Sequence, residues 1–260
     1  MPEGDTISRV ARTLNTVLAG RQLVRFESAR LAGPGPRAGT TVLAVEARGK
    51  HLLVHFADGH VLHTHLRMTG SWHLYRVGEP WRKPRARAVA VLQVQDGTVA
   101  VCFSAPTVEL LDRRRLGRHA ALNALGPDLC RDDADLDEAV RRLGRLDPAT
   151  EVGVALLDQR VAAGIGNVYK SEVCFARAVD PGTPVGALDD RVRRGLLETA
   201  SALLRANLDR DRRATTPRGL AVYGRAGEAC PRCGATIRCR RQGSHARSTY
   251  WCPACQPRSP

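Results

Sequence analysis

The chain has 260 residues, of which 40 are lysine or arginine and 26 aspartate or glutamate, giving a formal net charge of +14. So basic a balance favours nucleic acid over acidic small molecules as a partner, and the length allows two domains with proper cores plus a small appendage. No secretory leader pattern and no apolar run of membrane length occurs, so a soluble, intracellular protein with no membrane partner is expected.

The first element in chain order is a helix. Ile7, Val10, Ala11, Leu14, Val17 and Leu18 recur at helical spacing, and Gly20 offers a stop. Short stretches rich in Val and Leu follow at 41–46, 51–56, 61–66, 88–94 and 98–104, with Ala57-Asp58-Gly59 and Gln95-Asp96-Gly97 as hairpin signals. They predict a β-sandwich or barrel with the opening helix packed on it, and 28–40 and 78–87 read as loops. Past Gly126-Pro127-Asp128 the texture turns helical, with helices expected over 136–146, 152–162, 168–178 and 189–208. Asp132, Asp133 and Asp135 read as a solvated helix start. The boundary falls around 118–130, and 209–222 lead into a cysteine-rich end. The expected class is therefore α+β in three parts: a sandwich over 1–120, a helical domain over 121–222 and a metal-bound finger over 223–260.

That finger rests on Cys230, Cys233, Cys252 and Cys255, two Cys-x-x-Cys knuckles with eighteen residues between them. The spacing suits one structural zinc ion in a ribbon, each knuckle giving two thiolates. A piece of about thirty residues cannot bury enough core to fold alone, so the metal must hold it. Arg238, Arg240, Arg241 and Arg247 stand between the knuckles with no acidic residue among them, an arrangement that fits a polyanion. Cys102, Cys130 and Cys174 read as packed thiols. Cys239 is a spare that with His245 competes for the ion at worse spacing.

Three other features carry chemistry. Loss of Met1 would leave Pro2 as a secondary amine with a pKa of about 7.7–8.0, partly neutral at physiological pH. Such an amine attacking a sugar C1′ gives an iminium ion, an electron sink for elimination, and Glu3 beside it is placed to move protons. Gly164-Ile165-Gly166-Asn167 makes a tight turn before a helix, where free N–H groups and the Asn167 amide suit phosphate. Lys50, after Arg48-Gly49, is one of only three lysines, and a compact ammonium contacts phosphate where a broad guanidinium does not fit.

Taken in order, Pro2-Glu3-Gly4, Arg48-Gly49-Lys50, Gly164–Asn167 with Glu172, Tyr223-Gly224-Arg225-Ala226-Gly227-Glu228, and Arg247 through Gln256 resemble the formamidopyrimidine-DNA glycosylase and endonuclease VIII family along essentially the whole chain. The resemblance implies a sandwich, a helix–two-turn–helix domain and a zinc finger, with double-stranded DNA in the cleft between domains. It implies Pro2 as nucleophile and Glu3 as the general acid that opens the deoxyribose ring. It further implies Lys50, Gly166, Asn167 and Arg247 as the grip on phosphates, and Met68 as the wedge that fills the vacated base stack. Arg114 and Leu116 resemble the arginine and aromatic of purine-type members, whereas Phe103 through Glu109 is closer to endonuclease VIII. Thr6 stands where members commonly carry a second glutamate. The activity implied is that of a monomeric glycosylase and abasic-site lyase of base excision repair, cutting by β,δ-elimination. Oxidised pyrimidines are favoured over oxidised purines, because 215–222 leave no room for a long lid before Tyr223. Two other readings of the residues are a non-catalytic zinc-ribbon nucleic-acid binder and a metal-dependent nuclease.

Overall fold

A computed structural model describes residues 2–31 and 34–257. The chain forms two compact units, Met1–Asn123 and Ala124–Pro260.

In the first unit, α1 (Gly4–Leu18) turns Ile7, Ala11, Leu14 and Leu18 into the core, and Gly20 ends it at φ +77°. Eight strands follow: β1 (Leu23–Glu27), β2 (Val42–Arg48), β3 (His51–Phe56), β4 (Val61–His65), β5 (Ser71–Arg76), β6 (Ala88–Val94), β7 (Thr98–Phe103) and β8 (Thr107–Leu111). They pair antiparallel in two four-stranded sheets, β1-β6-β7-β5 and β2-β3-β4-β8. Leu52, Val54 and Leu62 of one sheet and Leu92, Ala100 and Cys102 of the other belong to a single buried cluster with α1, so the sandwich expected from sequence is the one formed. The Asn15 side-chain carbonyl accepts the Val45 N–H at 2.8 Å and ties α1 to β2. Gly59 and Gly97 take positive φ in the two expected hairpin turns. Strands β1, β5 and β8 were not expected. Each is five or six residues with partly exposed faces, and such strands are fixed by pairing more than by their own pattern. Two short helices close the unit, α2 (Arg113–Gly117) and α3 (Ala120–Asn123).

In the second unit, α4 (Leu136–Gly144), α5 (Val152–Ala155), α6 (Asn167–Ala176) and α7 (Asp190–Ala206) enclose a core that includes Leu143, Val152, Tyr169, Val173, Leu196 and Leu204. Asp135 and Asp189 cap α4 and α7 by accepting the N–H groups of Glu138 and Val192. Asp132 and Asp133 pair with Arg205 and Arg131, so the acidic run is a helix start and its flanking ion pairs.

One expected helix is corrected. The segment 152–162 is helical only to Ala155, because the backbone beyond it is claimed by residues 126–129. Gly126 donates to the Gln159 carbonyl at 2.8 Å, Ala163 to Pro127 at 2.8 Å and Leu129 to Ala163 at 3.1 Å. Gly126 lies so close that a Cβ there would meet the Val161 carbonyl oxygen at 2.3 Å.

The cysteine-rich end folds as the hairpin β9 (Arg238–Gln242) and β10 (Arg247–Trp251). It docks on the helices of its own unit. Phe175 and Val222 pack with Cys230, Ile237 and Cys252, and the Gln242 amide donates to Pro181 O at 2.7 Å and Glu151 at 2.9 Å. Among the described residues no helix is long and apolar enough to cross a membrane.

Candidate active site and nucleic-acid interface

Within the first unit the expected residues sit at the ends of elements. Half-buried Pro2 precedes Glu3, which is 0 % exposed at the N-cap of α1, and the Glu3 carbonyl takes the Ile7 N–H at 3.0 Å. Thr6 donates to Asp5 Oδ1 at 3.3 Å, and Asp5 is itself buried. Gly49, at φ +58°, and half-buried Lys50 form a two-residue turn closed by Arg48 opposite His51, a hairpin that favours glycine first. Met68 is 62 % exposed, the most open of the large apolar side chains described. It rides on a turn between β4 and β5 that depends on Gly70, where a Cβ would lie 2.7 Å from Leu66 O and 2.9 Å from Ala105 Cα. Arg114, exposed, and Leu116, half-buried, stand on α2, whose start is capped by Asp112 accepting the Arg115 N–H at 2.7 Å.

Sequence reasoning missed a polar face on the β2-β3-β4-β8 sheet. Strand register sets His51 opposite His65 and His63 opposite Glu109, and His119 reaches the same carboxylate. His51 Nδ1 lies 2.8 Å from His63 Nε2, His63 Nδ1 2.8 Å from Glu109 Oε2, and His119 Nε2 3.0 Å from that same oxygen. Burial, with the charges of His65, His63, His119 and Lys50, pushes His51 down to about 3, and burial with the Arg67 charge pushes His65 to about 4. Burial works against ionised Glu109, yet its bonds from His63 and His119 hold it below the usual carboxylate range. The available signal was the shared parity of positions 51, 63, 65 and 109 on adjacent strands, which shows only once the strands are paired.

In the second unit Gly166 caps α6, following Gly164 at φ +107°. Asn167 was expected to offer its amide to phosphate; here Nδ2 donates to Ser248 O at 2.7 Å. Lys170, 0 % exposed, joins it with Nζ 3.2 Å from Ser248 O and 2.6 Å from Thr249 Oγ1. Asn167 and exposed Arg247 are thus brought together through Ser248, the residue after Arg247. Glu172, 1 % exposed, accepts N–H groups from Ala221, Val222 and Tyr223 at 2.8–2.9 Å and the Thr215 hydroxyl, so 215–223 are clasped to α6.

The four knuckle sulfurs lie within 4.8 Å of one another. Cys230 Sγ is 3.8 Å from Cys255 Sγ and Cys233 Sγ 3.5 Å from Cys252 Sγ. A tetrahedron with Zn–S bonds of about 2.3 Å has edges of about 3.8 Å. The four thiolates therefore fit one zinc ion and leave it no open position, the form of a structural site. Cys239 and His245 are exposed and outside the cluster.

Family models account for most of the chain. Residues 1–119 match the formamidopyrimidine-DNA glycosylase N-terminal domain, 125–218 its H2TH domain, and 227–258 a zinc finger found in FPG and IleRS. The chain is 47 % identical over 264 residues to a probable endonuclease 8 2 of Streptomyces coelicolor, spanning 98 % of this chain and 94 % of that protein. It is 40 % identical over 270 residues to a DNA-(apurinic or apyrimidinic site) lyase Nei2 of Mycolicibacterium smegmatis, spanning all of both. Its fold matches that of Lactococcus lactis formamidopyrimidine-DNA glycosylase, solved non-covalently bound to DNA containing an AP site, with a TM-score of 0.85 at 24 % identity over 99 % of this chain and 100 % of that one. The chain belongs to the formamidopyrimidine-DNA glycosylase and endonuclease VIII family, on its endonuclease VIII side.

Proposed function

We propose that this protein is a bifunctional DNA glycosylase and abasic-site lyase of base excision repair. It acts as a monomer in the cytoplasm, on nucleoid DNA that carries damaged bases or abasic sites. The observation that carries the reading is the start of α1, where half-buried Pro2 stands beside the fully buried carboxyl of Glu3. With Met1 removed, the Pro2 nitrogen attacks C1′ of the damaged nucleotide and the base leaves with the C1′–N bond electrons. Glu3 gives the proton that opens the sugar ring, and the resulting iminium draws the electrons of two successive eliminations. Lys50, Asn167 and Arg247 hold flanking phosphates, with Gly166 opening the helix beside them. Met68, with Arg114 and Leu116 just after β8, fills the gap left by the nucleotide, whose extrusion costs about a few kcal/mol. In this division of labour 1–120 carries the chemistry, while 121–222 and 223–260 hold the backbone.

The Glu172 clasp supports a choice of lesion. With 215–223 held against α6, a long lid over the base has no slack to form. An open pocket suits small, non-planar oxidised pyrimidines such as dihydrouracil first, and oxidised purines second. Two measurements test the proposal. Sodium borohydride should trap the processed enzyme on abasic DNA but not a form with a tag fused ahead of Pro2; full activity of the tagged form would place the nucleophile elsewhere. Single-turnover excision should be faster on dihydrouracil than on 8-oxoguanine in otherwise identical duplexes, and the reverse order would overturn the substrate assignment alone.

A further inference from the structure

Four of the eight histidines, His51, His63, His65 and His119, are in ring contact in series, two of them, His63 and His119, bonded to one carboxylate, Glu109. The hydrogen bonds of His51, His63 and His119 all run toward it. The Leu122 N–H points at His119 Nδ1 at 3.3 Å, so neutral His119 carries its proton on Nε2 and donates to Glu109. Ionised Glu109 can only accept, which puts the His63 proton on Nδ1. His63 Nε2 is then an acceptor, so the His51 proton also sits on Nδ1 and His51 Nε2 keeps its lone pair. At His65 the Arg67 N–H lies 3.3 Å from Nδ1, which assigns the opposite tautomer. His51 directly follows Lys50 at the closing pair of the β2–β3 hairpin.

We propose that Glu109 and His63 are positioning residues that fix the tautomer of His51, presenting its Nε2 as a neutral hydrogen-bond acceptor at the corner where Lys50 meets DNA phosphate. The proposal rests on the phosphate role given to Lys50 above. An acceptor there steadies an ammonium, whereas a ring N–H or an imidazolium would turn it away. This is the logic by which a carboxylate orients a functional histidine, extended by one ring. The groups facing His51 are Lys50, His63, His65 and His119, and Glu109 anchors the chain from the partly exposed side. His63, Glu109 and His119 also lie close enough to hold a cation. The relay is favoured because a cation at His119 Nε2 needs the proton on Nδ1, where the Leu122 N–H already points.

The test uses the full-length, zinc-loaded protein. Nitrogen-15 NMR of the imidazoles should find both His51 and His63 protonated on Nδ1, and Glu109→Leu or His63→Phe should release His51 from that single tautomer. On a duplex with a stable abasic-site analogue, Lys50→Ala should lower the log–log salt slope of binding by about 0.9. Glu109→Leu should weaken binding too, and the double variant should match Lys50→Ala within about twofold. A cooperative thermal melt and retained zinc show that these variants are folded, and borohydride trapping of the wild type at Pro2 reads the glycosylase proposal separately. An Nε2-protonated His51 in the wild type, additive losses in the double variant, or a second metal ion per chain that disappears in Glu109→Leu would overturn the relay. Lys50→Ala binding like wild type would remove its purpose.

Discussion

At the scale of single residues, two carboxylates do different work. Glu172 is buried with at least four donors on it, and truncation would strand the Ala221, Val222 and Tyr223 N–H groups in the interior. Each unsatisfied group costs about 1–3 kcal/mol, so Glu172→Ala should lose roughly 3 kcal/mol or more in urea unfolding. A loss under 1 kcal/mol would mean that the clasp is dispensable. Glu46 is half-exposed on β2, where the hydrogen bond from His55 outweighs the cost of burial and, with help from Arg48, holds it below its ordinary 4.5. That contribution is present above the ordinary value and is lost as pH falls through the lower folded one. The stability gap between wild type and Glu46→Gln at neutral pH should therefore close on acidification below 4.5. A gap that stays constant with pH would assign the effect to shape rather than charge.

At the scale of elements, the turn carrying Met68 is set by Gly70, where an added Cβ would meet three backbone atoms at 2.7–2.9 Å that cannot swing aside. Gly70→Ala should cost about 1–3 kcal/mol and displace Met68. Excision of an intact damaged base should fall more than cleavage of a pre-formed abasic site, and equal losses would argue against a wedge at Met68. This turn also marks the limit of what the chain reveals before it is folded. Helices α1, α4, α6 and α7 were legible because apolar spacing is local, as are the capping aspartates of α4 and α7, and the zinc knuckles because four ligands at fixed spacing leave few options. The end of α5 at Ala155 was not legible, since it depends on residues 126–129 taking its continuation's hydrogen bonds. Asn167 could be singled out from its place after Gly164-Ile165-Gly166, but not its bond to a carbonyl 81 residues away. The histidine chain escaped for the same reason: His51, His63 and Glu109 become neighbours only through strand register.

At the scale of the whole molecule, the zinc ion holds more than its own hairpin. Ser248 and Thr249 accept from the buried Lys170 ammonium and Gln242 bridges to Glu151 and Pro181, so freeing the hairpin withdraws partners from charged and polar groups inside the helices. Chelation, or Cys252→Ser, should therefore raise hydrogen exchange in α6 as well as in β9 and β10, while the β-strand amides of Met1–Asn123 stay protected. Loss confined to the hairpin would show that the helical core stands without it. The same cross-links set an order of events during synthesis. The partners of Asn167 and Lys170 at Ser248 and Thr249 are 78–81 residues further along the chain. At a translation rate of about 5–20 residues per second, α6 waits roughly 4–16 seconds for them. The sandwich has by then left the ribosome, and a segment translated well after α6 is the one that closes the helical unit. A message cut short before Ser248 therefore yields a chain with a finished N-terminal half and an open second half, a ready target for proteolytic clearance.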